Sequence, residues 1–237
     1  MRIAAIADLH CRTTSDGIIR QTLGGVEDEA DVLVLAGDLT DTGLPEEMEV
    51  LIPQLKRMQI PVIAVLGNHD HESGYHEVLT QMLKDCEVHV LEASVVEIDS
   101  VGFIGTKGFC GGFGPRLVQP FGEKALKDFI NTSLDETLLL ENALARVECE
   151  HKVAVLHYSP IVETLFGEPK EIYAFLGTSR LEAALDLYGV DVIFHGHAHH
   201  GSPEGRTAGG RPVHNVSRFV QEKFYKRPYC LYEIEGG

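Results

Sequence analysis

The stretch ADVLVLAGDLTDTG at residues 30–43 decides the fold. Its aliphatic run is apolar at every position, which is typical of a strand buried on both faces in a parallel sheet. Glycine and aspartate end the run, and the stretch PVIAVLGNHD at residues 61–70 repeats this arrangement. Along the rest of the chain, short apolar runs alternate with amphipathic segments, which indicates a layered α/β fold.

The pattern predicts ten strands and five helices. The 237 residues fit a single domain spanning 1–237, because α/β domains reach ~250 residues before they divide. Ser133 and Glu136 match a capping box, which predicts that a helix begins there. The predicted strands are 2–7, 31–36, 61–66, 88–91, 95–98, 102–105, 152–156, 191–194, 212–215 and 229–234, and the predicted helices are 17–28, 45–58, 74–85, 134–148 and 179–188.

Five of the predicted buried strands are followed by Asp, His or Asn, which are residue types that bind metals. Each motif alone fits ordinary turn chemistry or a satisfied polar side chain. Ligands in open α/β sheets bind at the carboxyl ends of strands, however, and a shared metal site accounts for all five motifs at once. The motifs are Asp8-Leu9-His10, Gly37-Asp38, Gly67-Asn68-His69-Asp70, His157, and His195-Gly196-His197-Ala198-His199-His200.

The ligand types narrow the choice of metal. Carboxylate, imidazole and amide oxygen without thiolate suit Mn²⁺, Fe or Zn²⁺ rather than a closed structural zinc site. Two ions are possible if one aspartate bridges them, and ions ~3.5–4 Å apart bind a phosphoryl group and a deprotonated water between them. Such a pair of ions can place the water for in-line attack on the phosphoryl group.

The ordered set of motifs resembles the calcineurin-like metallophosphoesterase superfamily. Within it, the chain is most similar to the small bacterial enzymes that include class III cyclic nucleotide phosphodiesterases. The resemblance covers the catalytic core from residue 8 to residue 199. It implies a four-layer α/β/β/α sandwich of two mixed β-sheets flanked by helices, with a dinuclear metal site at one edge.

The resemblance also implies the ligands of two divalent metal ions (Mn, Fe, Zn or Ni) and the residues around them. His69 would face the substrate, to protonate the leaving oxygen or to stabilise the transition state, and Asp70 would orient His69 and favour its charged form. We interpret His195, His214, Asn215 and Ser217 as structural residues, and His200 as a loop residue. One ion would be held by Asp8, His10, Asp38 and His199, and the other by Asp38, Asn68, His157 and His197.

The resulting hypothesis is hydrolysis of small phosphate esters, either diesters or monoesters, by hydroxide formed from metal-bound water. Loops 107–116 and 159–177 are the candidates for substrate selection, and four cations could clamp an anionic group: Arg12, Lys107, Arg116 and Arg218. The alternatives are a nuclease of the same superfamily and a non-catalytic scaffold. The formal charge of −16 argues against extended nucleic acid as a partner.

The cysteines and the hydropathy of the chain indicate in which cellular compartment the protein is expected. The five cysteines are scattered without a Cys-x-x-Cys pair, which is typical of reduced thiols. The N-terminal apolar run stops at Asp8, too early for the core of a signal peptide, and no later run has the length of a membrane span. We therefore expect a cytoplasmic protein that acts on a small phosphorylated substrate and has no membrane partner.

Overall fold

Two β-sheets face each other, and helices cover both outer faces. The computed structural model describes residues 1–234, so the predicted domain boundary at residue 237 lies outside the described residues. The strands are β1 (Arg2–Ile6), β2 (Val32–Ala36), β3 (Val62–Val65), β4 (His89–Val90), β5 (Ser94–Ile98), β6 (Val101–Thr106), β7 (His151–Leu156), β8 (Val192–His195), β9 (Glu204–Arg206), β10 (Pro212–Asn215) and β11 (Cys230–Glu233). The α-helices are α1 (Asp16–Leu23), α2 (Val26–Glu29), α3 (Pro45–Leu55), α4 (His76–Lys84), α5 (Lys124–Leu144), α6 (Tyr173–Leu176), α7 (Ser179–Tyr188) and α8 (Arg218–Tyr225).

Both sheets are mixed. The first has the order β11-β1-β2-β3-β4, in which only β11 runs antiparallel to its neighbour among the described strands. The second has the order β5-β6-β7-β8-β10-β9, with parallel strands in the middle and an antiparallel strand at each edge. The parallel strands of each sheet therefore deliver their carboxyl ends to one edge.

Three apolar cores separate four layers. One core packs α1, α2, α3 and α4 against the first sheet, and another packs α5 and α7 against the second. The central core lies between the sheets and includes Val34 and Val155, both fully buried. All five residues of β2 are buried because each of its faces belongs to a different core. The predicted α/β/β/α arrangement is thus confirmed.

The predicted start of the long helix before β7 is wrong. Helix α5 begins at Lys124 rather than at residue 134, and Ser133 is buried inside it. The Glu136 carboxylate accepts hydrogen bonds from the Thr106 hydroxyl and from the Gly108 backbone N–H, 3.2 Å away, and does not cap the helix. The capping-box pattern arose because a tertiary contact uses the same residue type.

The remaining predicted elements correspond to the structure within a few residues, with one exception. The predicted helix 17–28 is broken at Gly25, whose φ of +83° ends one helix before the next begins. Strand β9 and helix α6 were not predicted, because three or four residues are too few to show a period, and the amphipathic helix α8 was missed. No helix within residues 1–234 combines the length and apolar character that a membrane crossing requires.

Candidate metal centre

The carboxyl ends of five strands from both sheets meet at one edge of the sandwich. Strands β1, β2 and β3 of the first sheet lead to Asp8, Asp38 and Asn68, and strands β7 and β8 of the second lead to His157 and His197. Backbone hydrogen bonds join these ends: Asp8 donates its N–H to the Gly37 carbonyl at 3.0 Å. The side chains that follow the strands therefore converge.

The first cluster contains Asp8, His10, Asp38 and His199, whose ligating atoms lie within 4.8 Å of one another. The Nε2 atoms of His10 and His199 are 3.3 Å apart, and His199 Nε2 is also 3.3 Å from Asp8 Oδ1. Asp38 Oδ2 lies 3.8 Å from His10 Nε2. These are the four residues that the resemblance assigned to one ion.

The second cluster contains Asp38, His157 and His197, also within 4.8 Å of one another. His157 Nε2 lies 3.3 Å from Asp38 Oδ1 and 2.9 Å from the side-chain oxygen of Asn68. The structure thus brings together every residue predicted to bind the second ion. Asp38 belongs to both clusters, as a bridging ligand requires.

Hydrogen bonds to the backbone orient two of the imidazole rings. His157 Nδ1 lies 3.0 Å from the Ala36 carbonyl, so a proton on Nδ1 leaves the lone pair on Nε2 facing Asp38. His197 Nε2 lies 3.2 Å from the carbonyl of Phe175, which leaves Nδ1 as its ligand atom. Backbone carbonyls that hold the second ring nitrogen fix both tautomer and orientation in metal-binding histidines.

The backbone at the centre is strained. Asp8, His10, Asp38 and His197 have φ angles of 59°, 44°, 51° and 68°, in the left-handed region that residues with a side chain seldom adopt. Each such residue costs about 1–3 kcal/mol and persists only where surrounding contacts impose it. Nine residues other than glycine have positive φ in the described chain, and four of them are predicted ligands. The concentration of strain supports a functional site.

Two glycines allow the strand ends to approach each other. A Cβ atom on Gly37, whose φ is +89°, would lie 2.4 Å from His157 Nδ1. A Cβ atom on Gly67 would lie 2.1 Å from Asp38 Oδ1. A side chain at either position would displace a predicted ligand, so the glycine of each strand-end motif is a packing requirement.

The pKa values of three predicted ligands are shifted from their usual ranges: those of Asp8, His157 and His197. Burial alone would raise the pKa of Asp8, but the hydrogen bond and charge of His199, the charge of His157 and the hydrogen bond from Ser217 together hold that pKa well below its usual range. Burial would also lower the pKa of His157, but the Asp38 carboxylate outweighs it and raises the pKa to about 9. Burial lowers the pKa of His197 to about 3. Metal binding would therefore displace a proton from His157.

The residues present fit divalent metal ions. Asp38 Oδ2 is buried and has no hydrogen-bond partner within residues 1–234, which is costly for a carboxylate oxygen unless a cation binds it. The donor set is carboxylate oxygen, imidazole nitrogen and one amide oxygen, which suits Mn²⁺, Fe, Zn²⁺ or Ni²⁺. The strained ligands, the oriented imidazoles and the bare oxygen have a metal centre as their common explanation.

A model of the calcineurin-like phosphoesterase family matches residues 1–201. The chain belongs to this family. The glycerophosphodiester phosphodiesterase GpdQ of Enterobacter lignolyticus (strain SCF1) is 28% identical over a segment that covers 33% of this chain and 33% of that protein. The chain is thus matched over only about a third of the length of this curated relative.

Solved structures share the calcineurin-like fold. The phosphopantetheinyl hydrolase PptH of Mycobacterium tuberculosis is 16% identical, with a TM-score of 0.70 over 97% of this chain and 95% of that one. A putative 5'-nucleotidase of Staphylococcus aureus is 17% identical, with a TM-score of 0.52 over 90% of this chain and 48% of that one. At these identities the likeness establishes the fold alone.

The predicted relation between Asp70 and His69 is wrong. Asp70 is fully buried, and its carboxylate accepts hydrogen bonds from the backbone N–H groups of Leu39, Thr40 and Gly67 and from the Thr40 hydroxyl. The His69 ring is not among its partners in the described residues. Burial and the nearby Asp38 carboxylate raise the pKa of Asp70. Asp70 therefore positions the turns that carry Asp38 and Asn68, and does not orient the imidazole.

His69 is oriented by a backbone carbonyl instead. Its Nδ1 lies 2.6 Å from the carbonyl oxygen of Asp41, and its ring centroid is 4.6 Å from that of His10. About a third of the side chain is exposed. With a proton on Nδ1, the Nε2 atom is available at the mouth of the first cluster. The predicted placement of His69 beside the metal ligands agrees with this geometry.

The structure also separates the predicted ligands His197 and His199 from the histidines beside them. His195 is buried, and its ring nitrogens lie 2.8 Å from the Thr164 hydroxyl and 2.8 Å from the Gly196 carbonyl. Both nitrogens are therefore used away from the clusters, as expected for a structural residue. Asn215 donates to the Ala198 carbonyl at 2.8 Å and braces the turn that carries the ligands.

The four candidate cations differ in position. Lys107 donates to the Gly108 carbonyl and lies 3.8 Å from the Glu136 carboxylate, and Arg12 pairs with Asp41 at 2.9 Å, so both are already engaged. Arg116 is exposed on the loop after Phe113. Arg218 donates from Nε to the Asp8 carbonyl at 3.1 Å, which places its guanidinium beside the first cluster.

Two aromatic residues at the centre were missed by sequence reasoning. Phe219, on α8, packs 4.7 Å from the ring of His199 and 6.1 Å from that of His10. Phe175 supplies the carbonyl that orients His197. Neither belongs to a recognisable motif, because a packing ring and a backbone carbonyl place few demands on the local sequence.

Proposed function

We propose that this chain hydrolyses phosphate esters of small molecules at a centre of two divalent metal ions that share Asp38. The observation that carries the proposal is the pair of clusters joined at Asp38, with its Oδ2 buried and unpartnered within the described chain. One shared carboxylate is the arrangement that holds two ions close enough to act on one phosphoryl group.

The chemistry divides between the ions and the side chains. Bound ions would neutralise charge on the phosphoryl oxygens and lower the pKa of water from 15.7 to about 7. His69 would donate from Nε2 to the leaving oxygen or stabilise charge on the phosphoryl group, while Asp41 holds its Nδ1. Arg218, beside the first cluster, would bind a phosphoryl oxygen or an anionic substituent. Asp70 would keep the ligand turns in register.

Small substrates are favoured over extended nucleic acid. The formal charge of −16 opposes binding along a polyanion, which depends on many displaced counterions. The similarity to a protein named as a glycerophosphodiester phosphodiesterase supports a diester as the substrate, although it covers a third of this chain. The five cysteines are free thiols, which supports the cytoplasm as the compartment.

The test combines metal content with hydrolysis. Protein reconstituted with Mn²⁺, Fe²⁺, Ni²⁺ or Zn²⁺ is assayed on a panel of phosphodiesters and monoesters, and its metal content is measured by elemental analysis. We expect two ions per chain and ester hydrolysis, and we expect Asp38→Ala to lose activity together with metal at both positions. Asp16→Asn, on the exposed face of α1, is the matched control. Full activity with one ion would refute the dinuclear centre, and two ions without hydrolysis of any ester would favour a scaffold.

A further inference from the structure

An apolar groove lies beside the metal centre. It has a volume of about 330 Å³, and all five residues that line it are apolar: Val118, Leu126, Phe129, Ala174 and Phe175. Phe175 is 57% exposed, a large fraction for a phenylalanine. A cavity of ~150 Å³ with similar walls holds a benzene ring, so this groove has room for a larger hydrocarbon group.

The groove adjoins the predicted metal ligands. The Phe175 carbonyl contacts His197 Nε2 at 3.2 Å, so one residue belongs to both places. A row of aromatic rings makes a second connection: Tyr158 is 4.5 Å from His197, and Phe109 is 5.8 Å from Tyr158. The row ends at Phe129, 5.1 Å from Phe109 and 6.4 Å from Phe175. This row packs between the groove and the predicted ligands, and Tyr158 is buried within it.

Hydrogen bonds hold the walls of the groove in place. Gly111 donates its N–H to the Ala174 carbonyl at 2.9 Å, and Val118 donates to the Gly111 carbonyl at 2.9 Å. The Arg180 guanidinium donates to the Val118 carbonyl at 2.7 Å. The 111–118 loop and helix α6 are thus tied together without using the side chains that line the groove. A wall built in this way is preformed, which lowers the entropic cost of binding.

We infer that the substrate is a phosphate ester carrying an apolar hydrocarbon group, and that this groove binds the group while the metal centre binds the phosphate. The inference rests on the proposed function and names the class of ester. Five apolar side chains beside a centre made of carboxylates and imidazoles match a molecule with one anionic end and one hydrocarbon end.

Binding of alkylphosphonates tests the inference without turnover. Methyl-, propyl- and hexylphosphonate place the same anionic group on the metal ions and extend different lengths of chain into the groove. Calorimetry on the manganese-loaded protein should show a dissociation constant that falls about two- to fourfold per added methylene, because burial of each one removes apolar surface from water. The hexyl compound should therefore bind at least ~30-fold more tightly than the methyl compound.

Two variants test whether the alkyl chain of the phosphonate lies in the groove. Leu126→Glu, on α5, and Val118→Glu, on the loop, each place a charge in the groove, and either should flatten the dependence on chain length while methylphosphonate affinity stays within about twofold. Leu138→Glu is the matched control, because Leu138 is 55% exposed on the same helix and lies ~18 Å further along it.

The outcomes separate the two proposals. Methylphosphonate binding with no dependence on chain length would overturn the groove and leave the metal centre standing. A dependence that survives in both groove variants would also overturn it, because the hydrocarbon would then bind elsewhere. Failure of every phosphonate to bind, together with no ester hydrolysis, would refute the proposed function and the groove with it.

Discussion

Replacing Asp70 by asparagine distinguishes a positioning residue from a partner of His69. The two oxygens of the carboxylate accept four hydrogen bonds. Oδ1 accepts from the Thr40 N–H at 2.8 Å and from its hydroxyl at 2.6 Å. Oδ2 accepts from the N–H of Gly67 at 2.8 Å and of Leu39 at 3.2 Å. Asparagine keeps the shape but turns one of these acceptors into a donor.

The loss in the free energy of unfolding depends on which carboxylate oxygen of Asp70 the amide nitrogen replaces. An amide nitrogen at the Oδ1 position takes the acceptor from one buried backbone N–H, that of Thr40, whereas the Thr40 hydroxyl can reverse and accept one amide hydrogen. At the Oδ2 position it would leave two unpaired, so the first orientation is favoured. One unpaired buried N–H costs about 1–3 kcal/mol. Relief of the repulsion between Asp70 and Asp38 offsets part of this cost, so we expect a net loss of about 1–2 kcal/mol in the free energy of unfolding.

Calorimetry and kinetics measure the two consequences. For a chain of this length the loss corresponds to a fall of about 2–8 °C in the melting temperature. Metal affinity should fall about 10- to 100-fold, because the turns that carry Asp38 and Asn68 loosen. The ratio of kcat on alkyl esters to kcat on nitrophenyl esters should not change, since Asp70 does not contact His69. Glu72→Gln, an exposed carboxylate 3.7 Å from His69 Nδ1, is the control and should not change stability.

An unchanged melting temperature with a selective loss on alkyl esters would refute this reasoning. Alkoxide is a poor leaving group and needs the proton that His69 would supply, whereas nitrophenolate hardly needs it. That result would mean that Asp70 acts through the imidazole after all, and that the hydrogen bonds to the backbone contribute little.

Three further substitutions have defined outcomes. His69→Ala should lower kcat by about 10²–10⁴-fold while both ions stay bound, with the larger loss on alkyl esters; equal losses on alkyl and nitrophenyl esters would leave electrostatic stabilisation as its role. His199→Ala should remove metal and cost ~10²-fold or more in activity, whereas His195→Ala should keep metal and lower the melting temperature. Elemental analysis that shows the reverse would mean that the ligands are assigned to the wrong histidines. Gly37→Ala should displace the His157 ring and lower metal content. Gly74→Ala is the control: its φ is also positive, at +76°, but no described atom lies within 4 Å of the added Cβ, so it should lower stability only. Equal metal loss in both variants would show that backbone strain, and not the clash with His157, is responsible.

The sequence by itself determined the strands and the edge where they meet. Each of the ten predicted strands overlaps a strand of the structure. The central strands are the easiest to recognise, because a strand buried on both faces must be apolar throughout. The residues that follow these strands could be located for the same reason: once the strand is known, its carboxyl end is known. A motif such as Gly37-Asp38 combines a strand end, a tight turn and a ligand within two residues. That compactness makes the candidate centre readable from local sequence.

The tertiary structure alone decided what surrounds the ligands. Asp70 bonds to Leu39 and Thr40, 31 and 30 positions away, and His197 meets the carbonyl of Phe175 across 22 positions. A backbone N–H or carbonyl is present at every such position, so no residue pattern marks the one that is used. The start of α5 was missed for a similar reason, since Glu136 serves β6 and its loop rather than its own helix. Ligands can be predicted because the chemistry restricts their residue type, whereas their supports depend on which parts of the chain the fold brings into contact.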